Sequence, residues 1–290
     1  MRIAIHGKPF ENDLVKGVEK MFTLLKEHDI DFIISESFHP FISEIGNCKD
    51  RPTYSNPSEL GDIDFMFTLG GDGTILEAVT HIGEKETPIV GINMGRLGFL
   101  ATIGLDQISY ALDQIKNKKY IIDRRALLRL NDDNNLFKGT PFALNDFSIV
   151  KKDTSSMIVV NAYVDDAFLN AYWADGLVVS TPTGSTGYSL SCGGPLVMPH
   201  SNNFIITPIS PHNLNVRPMV IDDQSTMSFT INARGDNVLI ALDSRSVTIP
   251  TSTELTLRKE KFSACLVKFE GYHPFDTLRQ KLYWGQDIRN

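Results

Sequence analysis

Asp64-Phe65-Met66-Phe67-Thr68-Leu69-Gly70-Gly71-Asp72-Gly73-Thr74-Ile75-Leu76 joins a short apolar run to three glycines. Ile75, Leu76, Ala78, Val79 and Ile82 then recur at helical spacing. The pattern predicts a buried strand, a tight loop and a helix. Glycine has no Cβ, so a ligand can come close to the backbone at Gly70, Gly71 and Gly73. Free N–H groups at the start of a helix favour an anion, most often phosphate, and Thr74 completes this phosphate loop. Asp72 inside such a loop would repel phosphate. It needs a compensating task, such as metal contact or taking a proton from a hydroxyl. The plainer alternative is that it caps the helix.

Working outward, Arg2 to His6 reads as a strand ending at Gly7. Leu14, Val15, Val18, Met21, Phe22 and Leu25 mark one helix face, and Phe32-Ile33-Ile34 a second strand. Residues 36 to 61 carry the breakers Pro40, Gly46, Pro52, Pro57 and Gly61 and read as a mobile surface segment with one short helix. Pro88 to Asn93 is another strand, running into Gly95-Arg96-Leu97-Gly98-Phe99. Strands alternating with helices predict a parallel sheet covered on both faces, with ligands beyond the carboxyl ends of the strands. Asp106 to Lys118 reads as a helix leading to a second domain.

From residue 121 the pattern changes to short runs rich in Val, Ile, Phe and Thr separated by polar turns, which predicts an antiparallel β domain. Ala126 to Leu130 and Phe142 to Val150 are joined across Asp132 to Asn135, and Asp165-Asp166 is a hairpin turn. Later strands run to Ala264–Phe269. The expected organisation is an α/β domain over 1–120, an antiparallel β domain over 121–270, and a helical segment over 271–290 that packs back on the first domain.

Bulk properties limit the function. A net charge of −7 argues against a nucleic-acid partner, which needs a broad basic surface. No apolar run approaches the roughly 18 residues that span a bilayer, and the N-terminal run is too short for a signal peptide. Cys48, Cys192 and Cys265 are widely spaced, which suits a reducing compartment, with cytoplasm the default. No set of His, Asp and Glu has the sequence spacing of metal ligands, and His81, His200 and His212 read as ordinary helix or loop residues. No Gly-x-Gly-x-x-Gly follows the first strand, so hydride chemistry is not expected.

The stretch Asp175-Gly176-Leu177-Val178-Val179-Ser180-Thr181-Pro182-Thr183-Gly184-Ser185-Thr186-Gly187-Tyr188-Ser189-Leu190-Ser191 ends a strand in a dense set of hydroxyls and glycines. Hydroxyls both donate and accept hydrogen bonds, which suits a ribose or phosphate, and Tyr188 adds a stacking surface. A solvated Ser/Thr turn has the same composition. Upstream, Asn145-Asp146 is a polar pair on an otherwise apolar strand. It can read an adenine edge and a ribose hydroxyl, or simply end the strand in a turn.

Together with Asn93 to Phe99, Ala143 to Asp146, Leu242-Asp243-Ser244-Arg245 and Phe275 to Gly285, these elements resemble the NAD kinase family over nearly the whole chain. The Gly-Gly-Asp-Gly-Thr loop alone is shared with lipid kinases and phosphofructokinases. The hydroxyl-rich stretch narrows the resemblance. It implies transfer of the γ-phosphoryl group of ATP, with its divalent metal (Mg²⁺), to the 2′-hydroxyl of the adenosine ribose of NAD, giving NADP. In some members polyphosphate is the donor. It also implies a homodimer or homotetramer.

By the resemblance Asp72 accepts the hydroxyl proton and Gly73 contacts NAD beside it. Asn145 and Asp146 bind the adenine and ribose end, and Asp175 holds the nicotinamide half. Thr186, Gly187, Tyr188, Ser189, Leu190 and Ser191 line the pocket, with Phe99 nearby. Three positions depart from the family pattern. The pair after Ala-Leu is commonly Asn-Glu. A basic side chain often stands where this chain has Trp173. A glutamine often stands where it has Arg245, which either faces the NAD phosphates or is a solvated surface residue. The rival readings are a lipid kinase that shares the loop and a dinucleotide sensor without turnover.

Overall fold

Ile3, Ala4 and Ile5 follow one another without a polar break and are all fully buried, as a strand covered on both faces requires. The same holds for Phe65–Leu69, buried at every residue. In the computed structural model, which describes residues 1–45, 48–152 and 156–285, these two strands lie side by side in parallel, with Gly7 level with Leu69. Gly46 lies outside the described residues.

The chain forms two compact units, Met1–Arg124 with Ala264–Asn290, and Arg125–Ser263. The first holds an eight-stranded sheet. Its order is Thr53–Tyr54, Asp31–Ser35, Arg2–Gly7, Phe65–Leu69, Ile89–Asn93, Ala264–Phe269, Tyr120–Arg125, with Ile103–Gly104 beside Ile89–Asn93. From Arg2–Gly7 the chain winds outward to Thr53–Tyr54, then returns to Phe65–Leu69 on the other side. The order therefore reverses between Arg2–Gly7 and Phe65–Leu69, and the crevice at the carboxyl ends of such a pair is where ligands bind in open α/β sheets. Gly7 and Gly70 follow those two ends.

Helix Val15–Glu27 buries Val18, Met21, Phe22 and Leu25, and helix Ile108–Lys116 buries Ile108, Ala111, Leu112 and Ile115, as their apolar spacing predicts. The segment 36 to 61 contains the short helix His39–Ile42 and also the edge strand Thr53–Tyr54, too short for periodicity to reveal.

Two boundaries differ from the sequence expectation. Strand Ala264–Phe269 pairs in parallel with Ile89–Asn93 and belongs to the first unit, not to the β domain. Its first four residues, all buried, form the apolar run of an interior strand, which sequence alone cannot assign to a sheet. The expected strand Phe142 to Val150 is two strands, Phe142–Ala143 and Asp146–Lys151, in different sheets.

The second unit consists of two six-stranded sheets whose strand pairings are antiparallel. Met227–Asn232 and Asn237–Leu242 alternate buried residues with half-buried or exposed ones, so each turns one apolar face to the core. No helix among the described residues is long and apolar enough to cross a membrane.

The hairpin at Asp165-Asp166 joins Ile158–Val164 to Ala167–Ala174, and both turn residues have positive φ, 49° and 65°. This is the twist-compatible two-residue turn, and it strains any residue with a Cβ. Asp166→Gly is expected to raise stability by up to about 1 kcal/mol and Asp166→Val to lower it by about 1–2 kcal/mol. Urea midpoints check this, and equal midpoints would show an unstrained turn.

Candidate active site

In the first unit, strand Phe65–Leu69 delivers Gly70 to the carboxyl edge of the sheet, and helix Asp72–Ile82 starts at once with Gly71 as its N-cap. Gly71 has no side chain to occupy the N–H groups of the first turn. A Cβ at Gly71 or Gly73 would meet nothing within 4 Å, so the backbone there is open to a ligand.

Asp72 is half-buried and does not cap its own helix. Its carboxylate reaches across to the loop after Ile89–Asn93. Oδ2 accepts from the Phe99 N–H at 2.8 Å, and Oδ1 accepts from the N–H groups of Leu100 at 2.9 Å and Ala101 at 3.0 Å. The approach depends on Gly98, where a Cβ would stand 2.0 Å from Asp72 Oδ1. A carboxylate has about four lone-pair sites, so three N–H donors leave room for one more partner.

Lys268, 3 % exposed, holds the same loop by donating to the Leu100 carbonyl at 3.2 Å and to Thr102 Oγ1 at 3.3 Å. The half-buried Phe99 ring lies 5.7 Å from Lys281 Nζ. Lys268 was not among the residues expected from sequence. A lone lysine in an apolar run, Cys265-Leu266-Val267-Lys268-Phe269, is the signal that marks it.

In the second unit the polar pair is built by another acid. Asp243 sits in the tight turn between Asn237–Leu242 and Arg245–Pro250 with φ 52°. Its Oδ2 accepts from the Leu144 N–H at 3.0 Å, and its Oδ1 from those of Asn145 at 2.8 Å and Asp146 at 3.2 Å. Those N–H groups are thereby lost to strand pairing, which is why the expected strand breaks at Leu144-Asn145.

Thr181 completes the turn, donating Oγ1–H to the Leu144 carbonyl at 2.6 Å and its N–H to the Asn145 carbonyl at 2.9 Å. Gly184 passes so close that a Cβ would lie 2.0 Å from the Asn145 oxygen. A Cβ at Gly187 would lie 3.5 Å from Asn145 Nδ2 and 3.6 Å from Asp146 Oδ2, so these three residues converge. Burial pushes the Asp146 carboxyl up to about 7, with the Asp243 charge adding to it and the Tyr188 N–H opposing. Burial raises Asp243 as well, against its three N–H donors and the Arg245 charge.

Much of the hydroxyl-rich stretch has structural partners. Ser185 Oγ donates to the Pro182 carbonyl at 2.7 Å, and Ser189 Oγ pairs with Thr207 Oγ1 at 2.9 Å, both serines being fully buried. Thr186 Oγ1 donates to the Thr183 carbonyl at 3.1 Å. Tyr188, at 42 %, and Ser191 are exposed, and Leu190 is half-buried.

Asp175 pairs with Lys151 at 2.6 Å. Trp173 lines an open cavity of about 360 Å³ with Met157, Val159, Asn232 and Arg234, among none of the other expected site residues. Arg245 is a tether rather than a solvated surface residue. Its Nη1 donates to the Thr140 carbonyl at 2.6 Å and to Thr140 Oγ1 at 2.8 Å, and its Nη2 to the Phe142 carbonyl.

Family models for the ATP-NAD kinase N-terminal domain and the ATP-NAD kinase C-terminal domain match residues 4–120 and 144–269. The chain belongs to the NAD kinase family. Its relatives include an NAD kinase of Cytophaga hutchinsonii, 48 % identical over 292 residues, and one of Christiangramia forsetii, 41 % identical, each alignment covering 100 % of both chains. An Archaeoglobus fulgidus NAD kinase solved in complex with ATP superimposes with a TM-score of 0.76 at 26 % identity, covering 98 % of this chain and 99 % of that one. Yeast NADH kinase, solved with NADH, shares the fold with a TM-score of 0.83 at 23 % identity, covering 100 % of this chain and 89 % of that one. NAD kinases are phosphotransferases. The N-terminal match lies within the first unit, and the C-terminal match covers most of the second unit together with strand Ala264–Phe269 of the first.

The Asp146 shift predicts a pH effect on stability. Folding raises its pKa from the ordinary value near about 4, so the folded state holds the proton more tightly than the unfolded chain. That contribution is full below about 4 and is lost as pH rises through about 7. Urea unfolding at pH 4.5 and pH 8 is expected to show wild type losing stability with rising pH and Asp146→Asn losing clearly less. Parallel losses would remove Asp146 as the cause.

Proposed function

We propose that this chain transfers the γ-phosphoryl group of ATP to the 2′-hydroxyl of the adenosine ribose of NAD, with Asp72 as the proton acceptor. The observation that carries the reading is the junction at Gly71. An uncapped helix start with open backbone stands directly beside a carboxylate with one lone-pair site to spare. The open N–H groups suit phosphate oxygens. The spare site suits a hydroxyl proton.

In the proposed step the ribose oxygen forms a bond to Pγ, the bond from Pγ to the bridging oxygen of ADP breaks, and the hydroxyl proton passes to Asp72. Such transfers have a loose transition state, so positioning and charge stabilisation supply most of the catalysis and a modest base suffices. Magnesium enters as part of the ATP substrate. Its preference for hard oxygen donors matches phosphate and carboxylate.

Asn145 and Asp146 bind the adenine and ribose end of NAD. Their convergence with Gly187 supports this, since a glycine there puts no side chain against Asn145 Nδ2 and Asp146 Oδ2. Gly73 and Phe99 contact NAD near Asp72, and Tyr188 and Ser191 contribute the exposed groups of the hydroxyl-rich stretch. Asp175 holds the nicotinamide half, with Lys151 supplying the positive charge absent at Trp173. The full-length likeness to NAD kinases leaves the lipid-kinase and sensor readings without support. The proposal extends to a cytoplasmic homodimer or homotetramer. Three free cysteines suit a reducing compartment, and family membership supports the assembly.

NADP formation from NAD and ATP with Mg²⁺ tests the reading. Asp72→Asn is expected to lower kcat by about 10²–10⁴-fold while changing NAD affinity by at most about threefold. Urea midpoints distinguish a lost proton acceptor from a loosened 99–101 loop. Equal rates in the two proteins would remove Asp72 from the mechanism. Asn145→Ala is expected to raise KM for NAD by about tenfold and leave that for ATP nearly unchanged. The reverse pattern would assign Asn145 to the other substrate.

A further inference from the structure

His6 is 1 % exposed, and neither nitrogen of its ring has a hydrogen-bond partner. A buried polar atom left in that state costs about 1–3 kcal/mol, so the ring wants a ligand. Glu77 and His81 stand four residues apart on helix Asp72–Ile82, which puts them on one face. One donor atom from each of His6, Glu77 and His81 lies within 4.8 Å of the other two. His6 Nε2 is 3.6 Å from Glu77 Oε2, and the two imidazole rings are 5.1 Å apart. We propose that His6, Glu77 and His81 form a binding site for a divalent transition-metal cation of the zinc class, separate from the magnesium that accompanies ATP.

The donor set selects the ion. Two imidazoles and a carboxylate suit Zn²⁺, Co²⁺ or Ni²⁺, whereas Mg²⁺ and Ca²⁺ prefer oxygen donors alone. Tetrahedral ligation at about 2.0–2.2 Å brings donors to about 3.4 Å from one another, so side-chain movements of about 1 Å close the site.

The Tyr54 ring stands edge-on to His81 at 5.6 Å and steadies it. Glu77 and His81 are only half-buried, which leaves a route from solvent and a fourth position for water.

The competing account is a structural ion pair, protonated His6 with Glu77, and Lys8 at 3.4 Å. It gives His81 no task. A dication occupies all three donors and replaces Lys8 as the counter-charge.

The probe is Co²⁺, titrated into chelator-treated full-length protein with millimolar Mg²⁺ present. One equivalent is expected to bind with the visible ligand-field absorption of a tetrahedral site, and Zn²⁺ is expected to bleach it. His81→Ala and Glu77→Gln should each weaken Co²⁺ binding by at least about tenfold. Because both side chains are partly exposed, far-UV circular dichroism should be unchanged, and His81→Gln serves if alanine perturbs the helix. A silent spectrum, or equal Co²⁺ affinity in wild type and His81→Ala, would overturn the proposal and leave the ion pair. Neither result depends on NADP formation, so this site and the proposed activity stand or fall separately.

Discussion

One carboxylate gathering three backbone N–H groups is the constraint on which the first unit's ligand edge depends. Asp72 is fixed by the strand-to-helix turn, and through Phe99, Leu100 and Ala101 it fixes the loop after the neighbouring strand. Hydrogen bonds to an ionised acceptor are stronger than neutral ones, so the loop is tied by the acid itself. Gly98 is the corollary, because only a residue without a side chain lets the carboxylate in. Lys268 closes the arrangement from the carbonyl side of Leu100.

The second unit repeats the device. Asp243 gathers the N–H groups of Leu144, Asn145 and Asp146 and bends the chain out of one sheet into the other, with Asn145 half-buried and Asp146 buried at the bend. Asp146 is then crowded by protein and by a second acid, which is why its carboxyl is shifted so far. In each unit a loop that might have been soft is stiffened by an acidic side chain from elsewhere in the sequence. That is the preorganisation a positioning catalyst needs.

The strand order, with its reversal between Arg2–Gly7 and Phe65–Leu69, is a tertiary property that no local pattern carries. The parallel sheet and the hairpin at Asp165-Asp166 were legible because each rests on local spacing or turn chemistry. The break at Leu144 was not, since its cause lies about a hundred residues away at Asp243. Hydroxyl density over 181 to 191 was legible as composition but ambiguous in meaning. Ser185 and Ser189 have partners within the protein, at Pro182 and Thr207, which composition alone does not reveal. His6, Glu77 and His81 escaped for a related reason. Spacing rules detect ligands on one element, and here a strand and a helix contribute jointly.

The late strand Ala264–Phe269 has a consequence for synthesis. It lies between Ile89–Asn93 and Tyr120–Arg125, both made far earlier. On the ribosome the whole second unit emerges before this strand does, so the earlier sheet must wait with a gap between two of its strands. Pairing across such a span raises contact order and slows completion. Until this strand emerges, the flank of Ile89–Asn93 that it covers is an unpaired edge, open to mispairing and to chaperone capture.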